Sequence, residues 1–116
     1  MIMSEKFREV FYFKQYFRKF LGEQRKRVVR KITWTLDLIE TIEVPSRQYL
    51  KKLEGTDGLY EIRVISDGDI FRIFCCFDKE KLVVLMNGFQ KKTQDTPQRE
   101  IEKALKIKEE YYAEKK

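Results

Sequence analysis

The sequence predicts an α+β fold in which helices pack on one face of an antiparallel sheet. Two segments rich in β-branched and aromatic residues, Tyr60 to Ser66 and Asp69 to Phe77, flank the dipeptide Asp67-Gly68, a strong hairpin signal. A 3.6-residue apolar repeat after residue 23 predicts a long amphipathic helix. The chain has 116 residues, 42% of them hydrophobic, which suffices for one modest core and excludes a disordered protein. We therefore expect residues 1–116 to form one domain.

The N-terminal part should contain one strand and two helices. Residues 8–13 are β-branched and aromatic, and predict a first strand. Gln15 to Leu21 has apolar residues at helical spacing, and Gly22 should end or bend that helix. A second helix is expected from Glu23 to about Glu43, before Pro45. Its buried stripe should consist of Val28, Ile32, Leu36 and Ile39. Its basic block, which we interpret as a solvent-facing surface, comprises Arg25, Lys26, Arg27, Arg30 and Lys31.

The C-terminal part should contain a three-stranded meander and a helix. A connector over residues 46–59 precedes the hairpin, and Leu82 to Phe89 should form the third strand. The run from Leu82 to Met86 is continuously apolar, which suits a strand buried on both faces. Thr96-Pro97 predicts a helix start, and the helix should reach about Tyr112. We expect the helices on one sheet face and the other face free for a ligand.

Charge and composition narrow the function classes. The 25 Lys and Arg residues outnumber the 19 Asp and Glu residues, which gives a net charge of +6 and favours an anionic partner: nucleic acid, an acidic protein or an anionic membrane. Without histidine, any catalysis must use Lys, Arg, Tyr or carboxylates. We find no glycine-rich phosphate loop, nucleophile elbow or paired CxxC motif.

The cysteine pattern and the hydropathy bear on location. Cys75 and Cys76 are adjacent, so they should point to opposite sheet faces and form no disulfide scaffold. No apolar run approaches the ~20 residues of a membrane span, and the first six residues lack a signal-peptide pattern. We expect a cytoplasmic protein.

The hairpin register predicts a pair of arginines. If Asp67 and Gly68 form the turn, Arg63 lies directly opposite Arg72 on one face. Like charges in that position cost up to about 1 kcal/mol, so folding alone does not call for the pair, whereas an anionic ligand does. The alternative is that Glu61, on the same face, neutralises one arginine in an ordinary ion pair.

Further basic and aromatic residues could extend this surface. Lys51-Lys52 precede the meander and Lys91-Lys92 follow it, so they could surround the arginines with cations. By alternation Phe74 shares the arginine face and is the first candidate for base stacking, with Phe89 second. Tyr60 fits ordinary core packing better. The residues alone therefore indicate an anion-binding sheet face without establishing catalysis.

An ordered series of stretches resembles a known family. The series consists of Leu53-Glu54-Gly55, Gly58 to Val64, Phe71 to Phe74, Leu85 to Phe89, Gln90 to Thr93, and Thr96-Pro97 through Arg99-Glu100-Ile101 to Ala104. It spans roughly residues 50–112 and resembles the HigB-like, phage-derived branch of the RelE/ParE toxin superfamily. The resemblance implies a curved antiparallel sheet with two N-terminal helices packed on one face and a C-terminal helix.

The resemblance also implies an activity. Toxins of this class are ribonucleases, many of which cut messenger RNA on the translating ribosome by attack of the ribose 2′-oxygen on the adjacent phosphate, with no metal or other cofactor. Carried over to this sequence, Arg63 and Arg72 would clamp the phosphate. Lys91 or Lys92 would orient or neutralise it, and Lys51 or Lys52 could do the same from the connector. Glu61 is the candidate base, although the absence of histidine leaves the identities of the acid and base open.

Two further expectations follow from the resemblance. Such toxins pair with an antitoxin, which in this branch usually carries a helix-turn-helix domain, and an acidic or apolar antitoxin segment could cover the basic face. The superfamily also includes gyrase poisons. The alternative is therefore a non-catalytic toxin or binding module of the same fold, gyrase-directed or an adaptor.

Overall fold

The computed structural model describes residues 6–115 and confirms the α+β class. The elements in chain order are β1 (Glu9–Tyr12), α1 (Tyr16–Gly22), α2 (Lys26–Thr41), β2 (Leu50–Lys52), β3 (Tyr60–Ser66), β4 (Asp69–Asp78), β5 (Leu82–Lys91) and α3 (Gln98–Lys115). Helix α2 begins at Lys26 rather than Glu23, because the Glu23 and Gln24 amides bond back to carbonyls of α1. The three-residue strand β2, which lies inside the predicted connector, was not foreseen.

The strands form one mixed sheet in the order β1-β5-β4-β3-β2. The pairs β2–β3, β3–β4 and β4–β5 are antiparallel, as predicted for the three-stranded meander β3 to β5. Strand β1 instead pairs parallel to β5, with Val10 opposite Val83. A parallel pair needs a connection of a dozen residues or more, and the chain between β1 and β5 is far longer, since it contains α1, α2 and the strands β2 to β4.

The β3–β4 hairpin has the predicted register. Ser66 lies opposite Asp69, and Arg63 lies opposite Arg72. The two turn residues both have positive φ, 53° at Asp67 and 84° at Gly68. This is the geometry in which a two-residue turn matches the twist of its strands.

Helices α1 and α2 cover one face of the sheet, hereafter the α1/α2 face. The predicted stripe of α2 is buried there, with exposures of 0 to 5%. It packs against a cluster that comprises Phe17, Phe20, Ile62, Val64, Phe71, Ile73, Cys75, Val83 and Leu85. Trp34 and Ile42, on the neighbouring side of α2, remain about half exposed.

Helix α3 covers part of the opposite face, hereafter the α3 face, so the prediction that this face is free was wrong. Ala104, Ile107 and Tyr111 are buried against it. Their cluster includes Phe13, Leu59, Phe74, Cys76, Val84 and Met86. An apolar stripe on α3 needs a partner surface, and this half of the sheet supplies it.

The two cysteines illustrate that both faces are covered. Cys75 belongs to the α1/α2 cluster and Cys76 to the α3 cluster, so they point to opposite faces as predicted, and both are buried free thiols. Burial raises the pKa of the Cys76 thiol to about 11. Of the helices within residues 6–115, none is long and apolar enough to cross a membrane.

Candidate functional site

The hairpin end of the α3 face is only partly covered. Helix α3 packs mainly on β4 and β5, toward the end of the sheet away from the Asp67-Gly68 turn. Near the turn, alternation places Arg63 and Ile65 of β3 and Ile70 of β4 on this face. Ile65 is 58% exposed and the Arg63 side chain 33% exposed. This open patch is where a ligand could reach the sheet.

Two arginines and one glutamate meet at the edge of the patch. The Glu61 carboxylate lies between them, with Oε1 3.7 Å from Arg63 Nε and Oε2 3.8 Å from Arg72 Nε. Glu61 is therefore within ion-pair distance of both arginines, and because it carries only one negative charge the three residues keep a net positive charge. The carboxylate is buried at 5% exposure.

Arg72 is not on an open surface, in contrast to the prediction. Its residue exposure is 4%, whereas the side chain of Arg63, which lies opposite it, is 33% exposed. The burial, and secondarily the Arg63 charge, lower the pKa of Arg72. Only Arg63 of the predicted clamp is accessible enough to touch a phosphate directly.

The charged triad is incompletely hydrogen-bonded. Arg72 Nη1 donates to the Phe71 carbonyl at 3.2 Å, but within residues 6–115 neither Arg72 Nε nor Glu61 Oε2 has a hydrogen-bond partner. Buried polar atoms without partners cost about 1–3 kcal/mol each. Such atoms in a native fold call for an explanation, and a functional role is one.

The predicted lysines divide between the two sheet faces. In the strand register Lys51 of β2 lies opposite Glu61 and so shares the α3 face. Lys52 lies opposite Tyr60 and belongs to the other face. Lys91 lies opposite Ile70, at the open end of the α3 face, and is half-buried. Lys92 follows the end of β5 and is exposed. The structure thus brings Lys51 and Lys91 to the arginine side, but not Lys52.

The three aromatic residues considered for base stacking differ in how much of each ring is exposed. Phe74 does share the arginine face, but it is fully buried under α3, so the prediction that it offers a stacking surface was wrong. Phe89 is half-buried, and its ring centroid lies 5.6 Å from that of Phe74. Tyr60 packs 4.8 Å from the Phe77 ring, as expected for a core residue. Phe89 is the remaining aromatic candidate beside the site.

Sequence reasoning missed Asn87, which is 2% exposed on β5 at a register irregularity facing Ile73 to Cys75 of β4. Its Nδ2 donates to the Glu100 carbonyl and to Glu100 Oε1, at 3.2 and 3.0 Å. Its Oδ1 has no partner among the described residues. An asparagine that directly follows a buried apolar run was the available signal. Asn87 ties the start of α3 to the strand beside Arg72.

Residues 6–115 contain no cluster of three or more metal-ligating side chains.

Residues 19–109 match the family model described as phage derived protein Gp49-like (DUF891). A comparison with curated proteins found no match.

Proposed function

This chain belongs to the Gp49-like family of phage-derived proteins, a RelE/HigB-like toxin family, and from that premise we propose that it is a HigB-like toxin of a type II toxin–antitoxin system. Its activity would be that of a metal-independent endoribonuclease that cuts messenger RNA, in association with the ribosome, and inhibits translation in the cytoplasm. The observation that supports this proposal best is the Arg63–Glu61–Arg72 triad beside the open patch.

Each residue of the triad would have a different role in RNA cleavage. Arg63 would contact the non-bridging phosphate oxygens and stabilise the charge that develops on them, since its guanidinium is the accessible one. Glu61 would accept the 2′-hydroxyl proton as the 2′-oxygen attacks phosphorus, a role that requires its buried carboxylate to become accessible when RNA binds. Arg72 would position the Glu61 carboxylate rather than clamp the substrate, because it is buried and within ion-pair distance of that carboxylate. The bond between phosphorus and the 5′-oxygen would break, and the leaving oxygen would take a proton from water, so the products would be a 2′,3′-cyclic phosphate and a 5′-hydroxyl end.

The rim residues would bind the rest of the RNA. Lys51 and Lys91 border the triad on the same face, and Lys92 lies just beyond. Their charges would attract the ribose–phosphate backbone, and one of Lys91 and Lys92 would neutralise the reacting phosphate. A base could stack on the exposed part of Phe89. The cognate helix-turn-helix antitoxin would inhibit the toxin by covering this face.

The test is inducible expression of the wild type beside Arg63→Ala and Glu61→Gln, with growth recorded and messenger RNA 5′ ends mapped. We expect wild type to arrest growth with new 5′-hydroxyl ends inside coding regions, and each variant to lose about 100-fold or more in cleavage. Lys19→Ala, an exposed cation on α1, is the matched control and should remain toxic. Circular dichroism must show that the variants fold.

Two other outcomes would redirect the proposal. Growth arrest without new RNA ends would favour a non-catalytic toxin, gyrase-directed or acting by binding alone. Absence of arrest, with the protein folded and abundant, would favour an adaptor of the same fold.

A further inference from the structure

Only the first half of strand β3 is paired along its outer edge. Strand β2 pairs with Tyr60, Glu61 and Ile62 alone, and one further bond joins the Arg63 amide to the Tyr49 carbonyl at 2.9 Å. Upstream of β2 the chain turns away from the sheet, since the Tyr49 and Leu50 amides both bond to the Ser46 carbonyl. The last part of β3 is therefore an edge.

The backbone of Ile65 faces this open edge. Ser66 and Asp69 flank the two-residue turn and so bond to each other, which directs the amide and carbonyl of Ile65 outward. Within residues 6–115 no strand pairs with Ile65 on that side. Exposed edges of this kind are templates for a further strand, and proteins usually protect them.

A cleft of about 600 Å³ separates this edge from α2. Its lining residues are Arg27, Arg30, Lys31, Trp34, Ile65, Ser66 and Asp67. Trp34 is 47% exposed, although it is among the largest apolar side chains in the sequence. Its ring packs against Tyr49, 5.7 Å between centroids, and Lys31 Nζ lies 4.6 Å from it. The cleft thus combines an aromatic wall with an unpaired strand edge.

The charge of the cleft comes from the basic block of α2. Arg27 is paired with Asp67 at 2.8 Å. Arg30 and Lys31 have no carboxylate within 4.0 Å among the described residues. The sequence predicted that the basic block faces solvent. In the structure two of its cations, Arg30 and Lys31, line a concave site.

We propose that this cleft binds an extended acidic segment of a partner protein, which adds as a strand to β3 in line with β2. The segment would exchange backbone hydrogen bonds with Ile65, place carboxylates on Arg30 and Lys31, and pack an apolar side chain on Trp34. RNA fits less well, because the free backbone groups of Ile65 on the β3 edge match the donors and acceptors of a peptide backbone. The Asp67 carboxylate would repel either anion, and it is already paired with Arg27. The site lies on the α2 side of the β3 edge and does not depend on RNA cleavage.

The experiment uses Trp34, the single tryptophan of the chain, as the reporter. The probe is the synthetic peptide acetyl-Glu-Val-Glu-Leu-Glu-Val-amide, titrated into the full-length protein while tryptophan fluorescence is recorded. We expect a saturable change, weakened about tenfold or more by Arg30→Glu with Lys31→Glu. The control with equal charge change, Lys19→Glu with Lys26→Glu, reverses two exposed cations outside the cleft and should lose far less affinity. N-methylation of those alternate peptide amides that face β3 in the proposed pairing should also weaken binding, since it removes the backbone donors.

Several results would overturn the proposal. They are no fluorescence change at millimolar peptide, equal weakening by the two double variants, or unchanged binding by the N-methylated peptide. A single-stranded RNA oligonucleotide that binds more tightly than the peptide and depends on the same two cations would reassign the cleft to nucleic acid. The Arg63→Ala variant should bind the peptide like wild type, so failure of the peptide site and failure of the proposed ribonuclease can be told apart.

Discussion

At the scale of single residues, the Arg63–Glu61–Arg72 triad is an arrangement that adds little to the stability of the folded state. When an ion pair is buried, both ions lose their favourable hydration energy, and only good hydrogen bonds offset that loss. Here the nitrogen–oxygen distances of 3.7 and 3.8 Å are too long for such bonds. The triad therefore contributes little net stability, which is consistent with retention for another reason.

A single and a double variant test this interpretation. Glu61→Leu alone should lower the free energy of unfolding by about 3 kcal/mol, because it leaves Arg72 buried without a counter-charge and beside Arg63. Glu61→Leu combined with Arg72→Met should recover to within about 1 kcal/mol of wild type or exceed it, since no buried charge remains. Urea unfolding followed by circular dichroism measures both. A Glu61→Leu protein as stable as wild type would mean that Arg72 is solvated in solution.

At the scale of elements, the approach of α1 to β5 depends on one residue without a side chain. A Cβ atom added at Gly88 would lie 2.5 Å from Phe20 Cδ2 and within 2.9 Å of two further ring carbons. No side-chain carbon fits at that distance. Gly88 thus lets the α1 helix lie directly on the strand that carries Asn87 and Phe89.

Gly88→Ala should accordingly destabilise the protein by about 1–3 kcal/mol, since the Phe20 ring or α1 must move. Gly22→Ala is the control, because an added Cβ there meets nothing within 4 Å, and it should change stability by less than about 0.5 kcal/mol. Adding Phe20→Leu to Gly88→Ala should restore part of the loss. Equal thermal midpoints for the Gly88→Ala and Gly22→Ala proteins would contradict the tight contact.

At the scale of the whole molecule, two carboxylates fasten α3 to the rest of the fold. Asp78 at the end of β4 accepts hydrogen bonds from Lys115 and Tyr111 of α3, at 2.7 and 2.6 Å. Glu110 of α3 accepts from Lys14 and from the Tyr16 hydroxyl, each at 2.6 Å. The Lys115 bond, then the Tyr111 bond, lowers the pKa of Asp78, and the Lys14 bond, then the Tyr16 bond, lowers that of Glu110.

These lowered pKa values predict that acid loosens α3. A carboxylate with a lower pKa in the folded state stabilises the fold fully above its ordinary pKa, here 3.8 for aspartate and 4.5 for glutamate, and the stabilisation is lost as pH falls through the folded pKa. Hydrogen exchange of α3 amides should therefore accelerate below about pH 4, relative to α2. Asp78→Asn with Glu110→Gln should flatten this pH dependence. Parallel exchange profiles for the two helices from neutral to acid pH would contradict it.

Local sequence rules accounted for the features that depend on near neighbours in the chain. The two-residue turn sets which residues of β3 and β4 face each other, so Arg63 opposite Arg72 followed from the position of Asp67-Gly68. The apolar spacing of α2 likewise predicted its buried face, since helix periodicity is a local property.

Tertiary structure decided what depends on contacts between distant segments. Alternation puts Arg72 and Phe74 on one face, but only the docking of α3 and the neighbouring strands determines that Phe74 is covered and Arg63 remains accessible. The parallel placement of β1, the short strand β2 and the cleft beside Ile65 have the same origin. The sequence by itself determined the fold class, the hairpin register and the shared face of the two arginines. Which parts of that face stay open was decided by long-range packing, because burial depends on which apolar surfaces compete for the same partner.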